Sequence, residues 1–121
     1  MFEIKRGTAA VLTVPLLVGG FVVVSTQTAE AACNRPATQN LSPAAGRVKS
    51  ASPLRVGPSE GCGVVRTIGT GTDLFYHCWV ENTAGNKWTY VRVANTNVEG
   101  WMYNGNLNDG GSVHPDNRCR A

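Results

Sequence analysis

The chain has 121 residues, of which 16% are charged, with a formal net charge of +3 and four cysteines. That length bounds it to one domain with a core small enough to benefit from covalent staples. The basic residues after the leader, from Arg35 to Arg120, are scattered without a run or a helical stripe, which excludes the usual electrostatic footprint of a nucleic-acid binder.

The first element in chain order is a leader. Lys5 and Arg6 precede an apolar run from Ala9 to Val24 that is broken by Thr13, Pro15 and the Gly19-Gly20 pair. Ala29-Glu30-Ala31 then supplies small residues at the two positions a signal peptidase reads, so the pattern predicts a secretory signal peptide over residues 1–31. The interrupted run is shorter than the roughly 20 apolar residues that cross a bilayer core, so no membrane anchor is expected. Glu30 stands where a lipobox places an apolar residue, which argues against a lipid on Cys33. The expected location is secreted, either extracellular or associated with the cell wall.

Residues 32–52 are rich in Pro, Ala, Ser, Asn and Gln, show no apolar periodicity, and read as an extended arm held through Cys33. From residue 53 the pattern changes to short apolar runs between glycine, asparagine and proline. Strands are predicted at Pro53 to Val56, Cys62 to Ile68, Asp73 to Glu81, Lys87 to Ala94 and Gly100 to Tyr103. Five short strands with turns this frequent predict an all-β fold, a small barrel over residues 53–108. Residues 109–121 read as a tail tied down by Cys119.

Cys33, Cys62, Cys78 and Cys119 lack any C-x-x-C spacing, and an even count in a small exported domain implies two disulfides. Four cysteines permit three pairings. A hairpin centred on Thr70 sets Cys62 opposite Cys78, at a Cβ separation of roughly 4.5 to 5.5 Å that a disulfide spans. This predicts Cys62–Cys78 and, for the remaining two, Cys33–Cys119.

Acid-base groups are sparse. His77 falls inside a strand and His114 in the tail, while Glu60, Asp73, Glu81, Glu99, Asp109 and Asp116 are dispersed over turns and strand ends. With the cysteines oxidised, no nucleophile, metal set or carboxylate pair is proposed by this inventory, so neither catalysis nor a cofactor is expected. Aromatic placement is more informative. Alternation puts Val91, Val93 and Met102 on one face and Trp88, Tyr90, Arg92, Trp101 and Tyr103 on the other. Those five residues are either the candidate ligand-binding surface or a second layer covered by the arm or tail; Phe75, His77 and Trp79, on the face opposite Leu74, Tyr76, Cys78 and Val80, either extend the same patch or lie under the arm.

Taken in order, Ser52 to Gly61 (SPLRVGPSEG), Val64 to Thr72 (VVRTIGTGT), Trp88 to Val93 (WTYVRV) and Gly100 to Met102 (GWM) resemble the bacterial SH3-like domains of secreted and cell-wall proteins. The chain departs from that family in its opening strand, where Leu-Arg-Val-Gly-Pro is two residues shorter than usual. Cys62 and Cys78 are similar to the cysteines of exported actinobacterial members. The resemblance implies an SH3-like barrel and a non-catalytic module whose partner is a cell-envelope polymer, a peptidoglycan peptide or glycan. The alternative from a different class is a disulfide-stapled inhibitor or effector that binds a secreted protein, presenting the loops Gly57 to Gly61 and Asn82 to Asn86.

Overall fold

Runs of β-branched and aromatic residues punctuated by glycine, asparagine and proline favour extended backbone over helix. The structure, a computed structural model describing residues 33–121, accordingly consists of six strands and two single-turn 3-10 helices. The strands are β1 (Ala45–Arg47), β2 (Ser52–Arg55), β3 (Val64–Ile68), β4 (Asp73–Glu81), β5 (Lys87–Val93) and β6 (Glu99–Tyr103); the helical turns are Asn104–Asn106 and Pro115–Asn117. The expected signal peptide lies outside the described residues. Within them, no helix is long and apolar enough to cross a membrane.

The six strands pair antiparallel and form one sheet in the order β1-β4-β5-β6-β2-β3, while an isolated parallel bridge joins Trp79 to Arg118 of the tail. The expected five-strand barrel is therefore corrected to an open sheet of six strands. The cause is the path of β3. Instead of forming a hairpin with β4, it folds back on β2, placing Ser52 opposite Ile68 and Leu54 opposite Arg66. The turn Gly69 to Thr72 then carries the chain across to β4, near the other edge. Val48 binds this turn through two backbone bonds, Val48 N–H to the Thr72 carbonyl at 3.1 Å and Gly71 N–H to the Val48 carbonyl at 2.8 Å. The sixth strand, β1, lies in the segment expected to be an irregular arm. It carries no apolar alternation and is ordered by pairing with Asp73 to Phe75 along the edge of β4.

The core lies on one face of the sheet. Leu54, Leu74, Val91 and Met102 are fully buried, and Val48, Ile68, Tyr76 and Leu107 join them in one cluster. The expected inward set of Val91, Val93 and Met102 is seen, with Val93 partly buried against the cluster. Tyr76 reaches across the core under Gly46, where any Cβ would collide with its hydroxyl. That hydroxyl donates to Asp109 Oδ1 at 2.6 Å. Burial first, and the neighbouring carboxylate second, hold the phenol well above its ordinary range.

Two disulfides form, and the expected Cys62–Cys78 and Cys33–Cys119 pairs are corrected to Cys33–Cys62 and Cys78–Cys119. The register that would oppose Cys62 to Cys78 never forms, because β3 and β4 are not partners. Cys62 instead ends the loop after β2, beside Gly57 and the start of the arm.

Candidate functional site

The geometry of the outer face is set by one irregularity. Tyr76 pairs with Val91 and Cys78 with Tyr90, so His77 is an extra residue in β4, a β-bulge. Beyond it the alternation of β4 inverts. Cys78 and Val80 lie on the face of Tyr90 and Trp88, whereas Trp79 lies opposite Thr89 on the other face. The expected grouping of Phe75, His77 and Trp79 on one face, with Cys78 and Val80 on the other, is corrected by this bulge. It also explains the disulfide, since it turns Cys78 toward the tail, where Cys119 N–H donates to the Trp79 carbonyl at 2.9 Å.

The predicted ligand-binding residues do come together. Tyr90 is opposite Trp101 and Trp88 opposite Tyr103, with ring centroids 5.2 Å and 5.7 Å apart. Their exposure differs, however. Trp88 is 3% exposed and Trp101 1%, while Tyr103 reaches 38%. Tyr90 is half-buried, and its hydroxyl donates to Glu99 Oε1 at 3.1 Å. Burial, reinforced by that carboxylate, raises the Tyr90 phenol above its usual value. Arg92 is half-buried, stacks at 4.9 Å over the exposed Phe75 ring, and donates to the Thr96 carbonyl.

Both histidines have local roles. His77 is buried beside Tyr90, and its carbonyl accepts the amides of Leu41 and Ser42. His114 precedes the last helical turn, and its Nδ1 accepts from Asp116 N–H at 3.1 Å. Among the described residues no three potential metal ligands are clustered.

A second feature was not anticipated as a site. A groove of about 490 Å³ opens where the arm, the tail and two loops converge. Pro36 and Ala37 of the arm form one side and Arg118 and Arg120 of the tail another. Pro58 and Ala84 mark the two loops, and Val80, turned outward by the bulge, also lines it.

Each side is fixed by short-range chemistry. In the loop between β4 and β5, Asn82 Oδ1 accepts the amides of Ala84 and Asn86, and Gly85 takes the left-handed φ of 84° that this tight turn requires. Asn82 Nδ2 donates to the Pro58 carbonyl at 3.0 Å, which ties this loop to the one after β2. In that loop Ser59 Oγ accepts from Gly61 N–H. Arm and tail are clamped to each other by Gln39, whose Nε2 donates to the Arg120 carbonyl and whose Oε1 accepts from Arg120 N–H at 2.8 Å. Arg118 rests 4.9 Å from the centroid of Trp79, whose indole N–H donates to the His114 carbonyl at 2.8 Å.

Glu81 is the acidic side chain of the groove, and Lys87 Nζ stands 4.0 Å from its Oε1. Arg118 and Arg120 are the basic side chains lining the same groove. The two loops named from sequence as presenting elements do meet here, but the contributions of Pro36, Arg118 and Arg120 were missed. The signal available was the pair of outer cysteines, Cys33 and Cys119, which tie the arm and the tail to the domain. No known protein family, curated protein or solved structure matches this chain.

Proposed function

We propose that this protein is an exported, non-catalytic binding module that holds a peptide-containing polymer of the cell envelope in the groove between its arm, its tail and its two tied loops. The observation that carries this reading is the preorganisation of the groove. Each side is held by a disulfide, by an asparagine-capped turn or by the Gln39 clamp, so little ordering entropy is spent when a ligand enters. Export is supported by the leader pattern of residues 1–31 and by two disulfides, which persist in oxidising compartments.

A peptide suits the site better than a glycan. Sugar recognition draws on exposed aromatic plates, and Trp79, Trp88 and Trp101 are each 5% exposed or less. Proline, alanine and valine beside asparagine amides and two arginines fit an extended chain with carboxylates. Co-sedimentation with purified envelope polymer tests this. The protein is expected to pellet with the polymer, and Ala84→Trp or Ala37→Trp, which fill the groove from its rim, are expected to leave it in the supernatant. Undiminished sedimentation of both variants refutes the groove as the site.

The second reading, an inhibitor or effector of a secreted protein, is favoured by the bond between Asn82 and Pro58, which makes one rigid prominence of the two loops. It predicts a stoichiometric complex with a protein from culture fluid and no sedimentation with polymer.

A further inference from the structure

His77 joins two features that are separate elsewhere in the sheet. Its carbonyl accepts the amides of Leu41 and Ser42, both at 2.9 Å, and these bonds hold the middle of the arm to β4. Its ring lies 5.8 Å from that of Tyr90, the residue is 8% exposed, and Nε2 is buried with no hydrogen-bond partner among the described residues. A neutral imidazole accommodates this, because an unprotonated Nε2 has no hydrogen to place. A protonated ring carries N–H on both nitrogens, and a buried N–H without an acceptor is strongly disfavoured.

The charged and titratable groups that face the ring come from β5 and β6. Arg92 opposes a second positive charge, Glu99 favours it, and the Tyr90 hydroxyl is already committed to Glu99. The arm stretch Leu41 to Ala44 contributes no titratable side chain. Burial dominates and holds the imidazole below its ordinary value.

We propose that His77 is an acid-responsive latch: on protonation its ring leaves the Tyr90 contact for water, the bulge carbonyl moves with it, and the arm around Leu41 and Ser42 releases β4. The Cys33–Cys62 bond and the pairing of β1 keep both ends of this segment tethered, so the opening is local. Pro36 and Ala37 line the groove between the Cys33–Cys62 bond and the Gln39 clamp, so opening removes one of its sides when it spreads to the Gln39 bonds with Arg120. That last consequence rests on the groove reading above; the latch itself does not.

The sign follows from linkage. The closed arm binds the proton less well than the open arm, so closure is fully favoured above the open-state value of about 6.5 and weakens as pH falls through it. Each unit separating the two states multiplies the open population about tenfold once pH lies below both.

Amide hydrogen exchange on the protein between about pH 7.5 and about pH 5, corrected for intrinsic rates, tests the latch. Protection of the Leu41 and Ser42 amides is expected to fall in step with the His77 ring titration read by NMR, while amides of β5 and β6 stay protected. His77→Gln is expected to abolish the response and His114→Gln to leave it intact. Flat protection through the ring titration overturns the proposal, as does equal loss in β5 and β6 or an unchanged response in His77→Gln. Should His77→Gln fail to fold, the comparison of ring and amide titrations in the unaltered protein decides. Arm opening that extends to the Gln39 amide and still leaves polymer co-sedimentation undiminished refutes the groove reading and leaves the latch standing.

Discussion

Gly57 is a position where adding one methyl group reports on the packing of a disulfide. A Cβ placed there would lie 2.5 Å from Cys62 Sγ, 2.6 Å from Cys33 Sγ and 2.7 Å from the Asn34 carbonyl oxygen. All three are about 1 Å inside ordinary contact, which begins near 3.5 Å. None belongs to the free end of a flexible side chain, so the arm has to move. Overpacking of this kind costs about 1–3 kcal/mol. The disulfide closes a sequence separation of 29 residues, for which the chain-entropy relation gives about 3.6 kcal/mol. Gly57→Ala is therefore expected to leave the bond formed but to forfeit about half of its benefit.

A double-mutant cycle isolates the effect. In a Cys33→Ala/Cys62→Ala background both sulfurs are gone and only the Asn34 oxygen still crowds the added carbon, so the same substitution is expected to cost about 1–2 kcal/mol less. Urea denaturation of the four proteins, oxidised where cysteines remain, measures this directly. Equal costs in the two backgrounds would refute the claim that the disulfide packs on Gly57.

Three further outcomes are expected. Replacing Cys78 and Cys119 together by alanine removes a cross-link of sequence separation 41, worth about 3.9 kcal/mol by the same relation, so the two double replacements should lower stability by similar amounts in denaturant melts. Thr89→Val keeps the shape of a fully buried residue but deletes a hydroxyl that donates to Asn104 Oδ1 at 2.7 Å and accepts Ser112 N–H at 3.0 Å; a loss of about 2–3 kcal/mol is expected by thermal or urea melting. Tyr76→Phe removes the donor to Asp109, whose carboxylate can turn to water, so a loss of about 1–2 kcal/mol is expected in urea melts at neutral pH.

Strand positions were legible because they depend on local chemistry. The apolar alternation of β5 and β6 identified the inward residues Val91 and Met102, and Asn82 to Asn86 announced its turn by composition. Pairing was less legible, because it is a contest between partners. Gly69-Thr70-Gly71 looks like a hairpin turn, yet β3 gains more by returning along β2 through the loop Gly57 to Gly63, and the predicted disulfide fell with that hairpin.

The bulge at His77 left no mark on the apolar pattern, since Cys78 and Trp79 read as buried on either face. Nor did composition decide between an exposed aromatic face and a covered one, and Trp88 and Trp101 are enclosed. The groove was half legible. Its loops were visible as loops, but the arm and tail that complete it are placed by cysteine connectivity, which spacing alone does not determine.

The two cross-links join the first cysteine to the second and the third to the fourth, so their loops follow one another along the chain without overlapping. A polypeptide threading through a pore with its N-terminus leading exposes Cys33 and then Cys62 to an oxidant before Cys78 emerges. Oxidation in order of appearance thus gives the native pattern at the first attempt. A nested arrangement would instead require Cys33 to wait, unpaired, until nearly the whole chain had crossed. For a chain exported as proposed, this connectivity makes oxidation a matter of sequence in time.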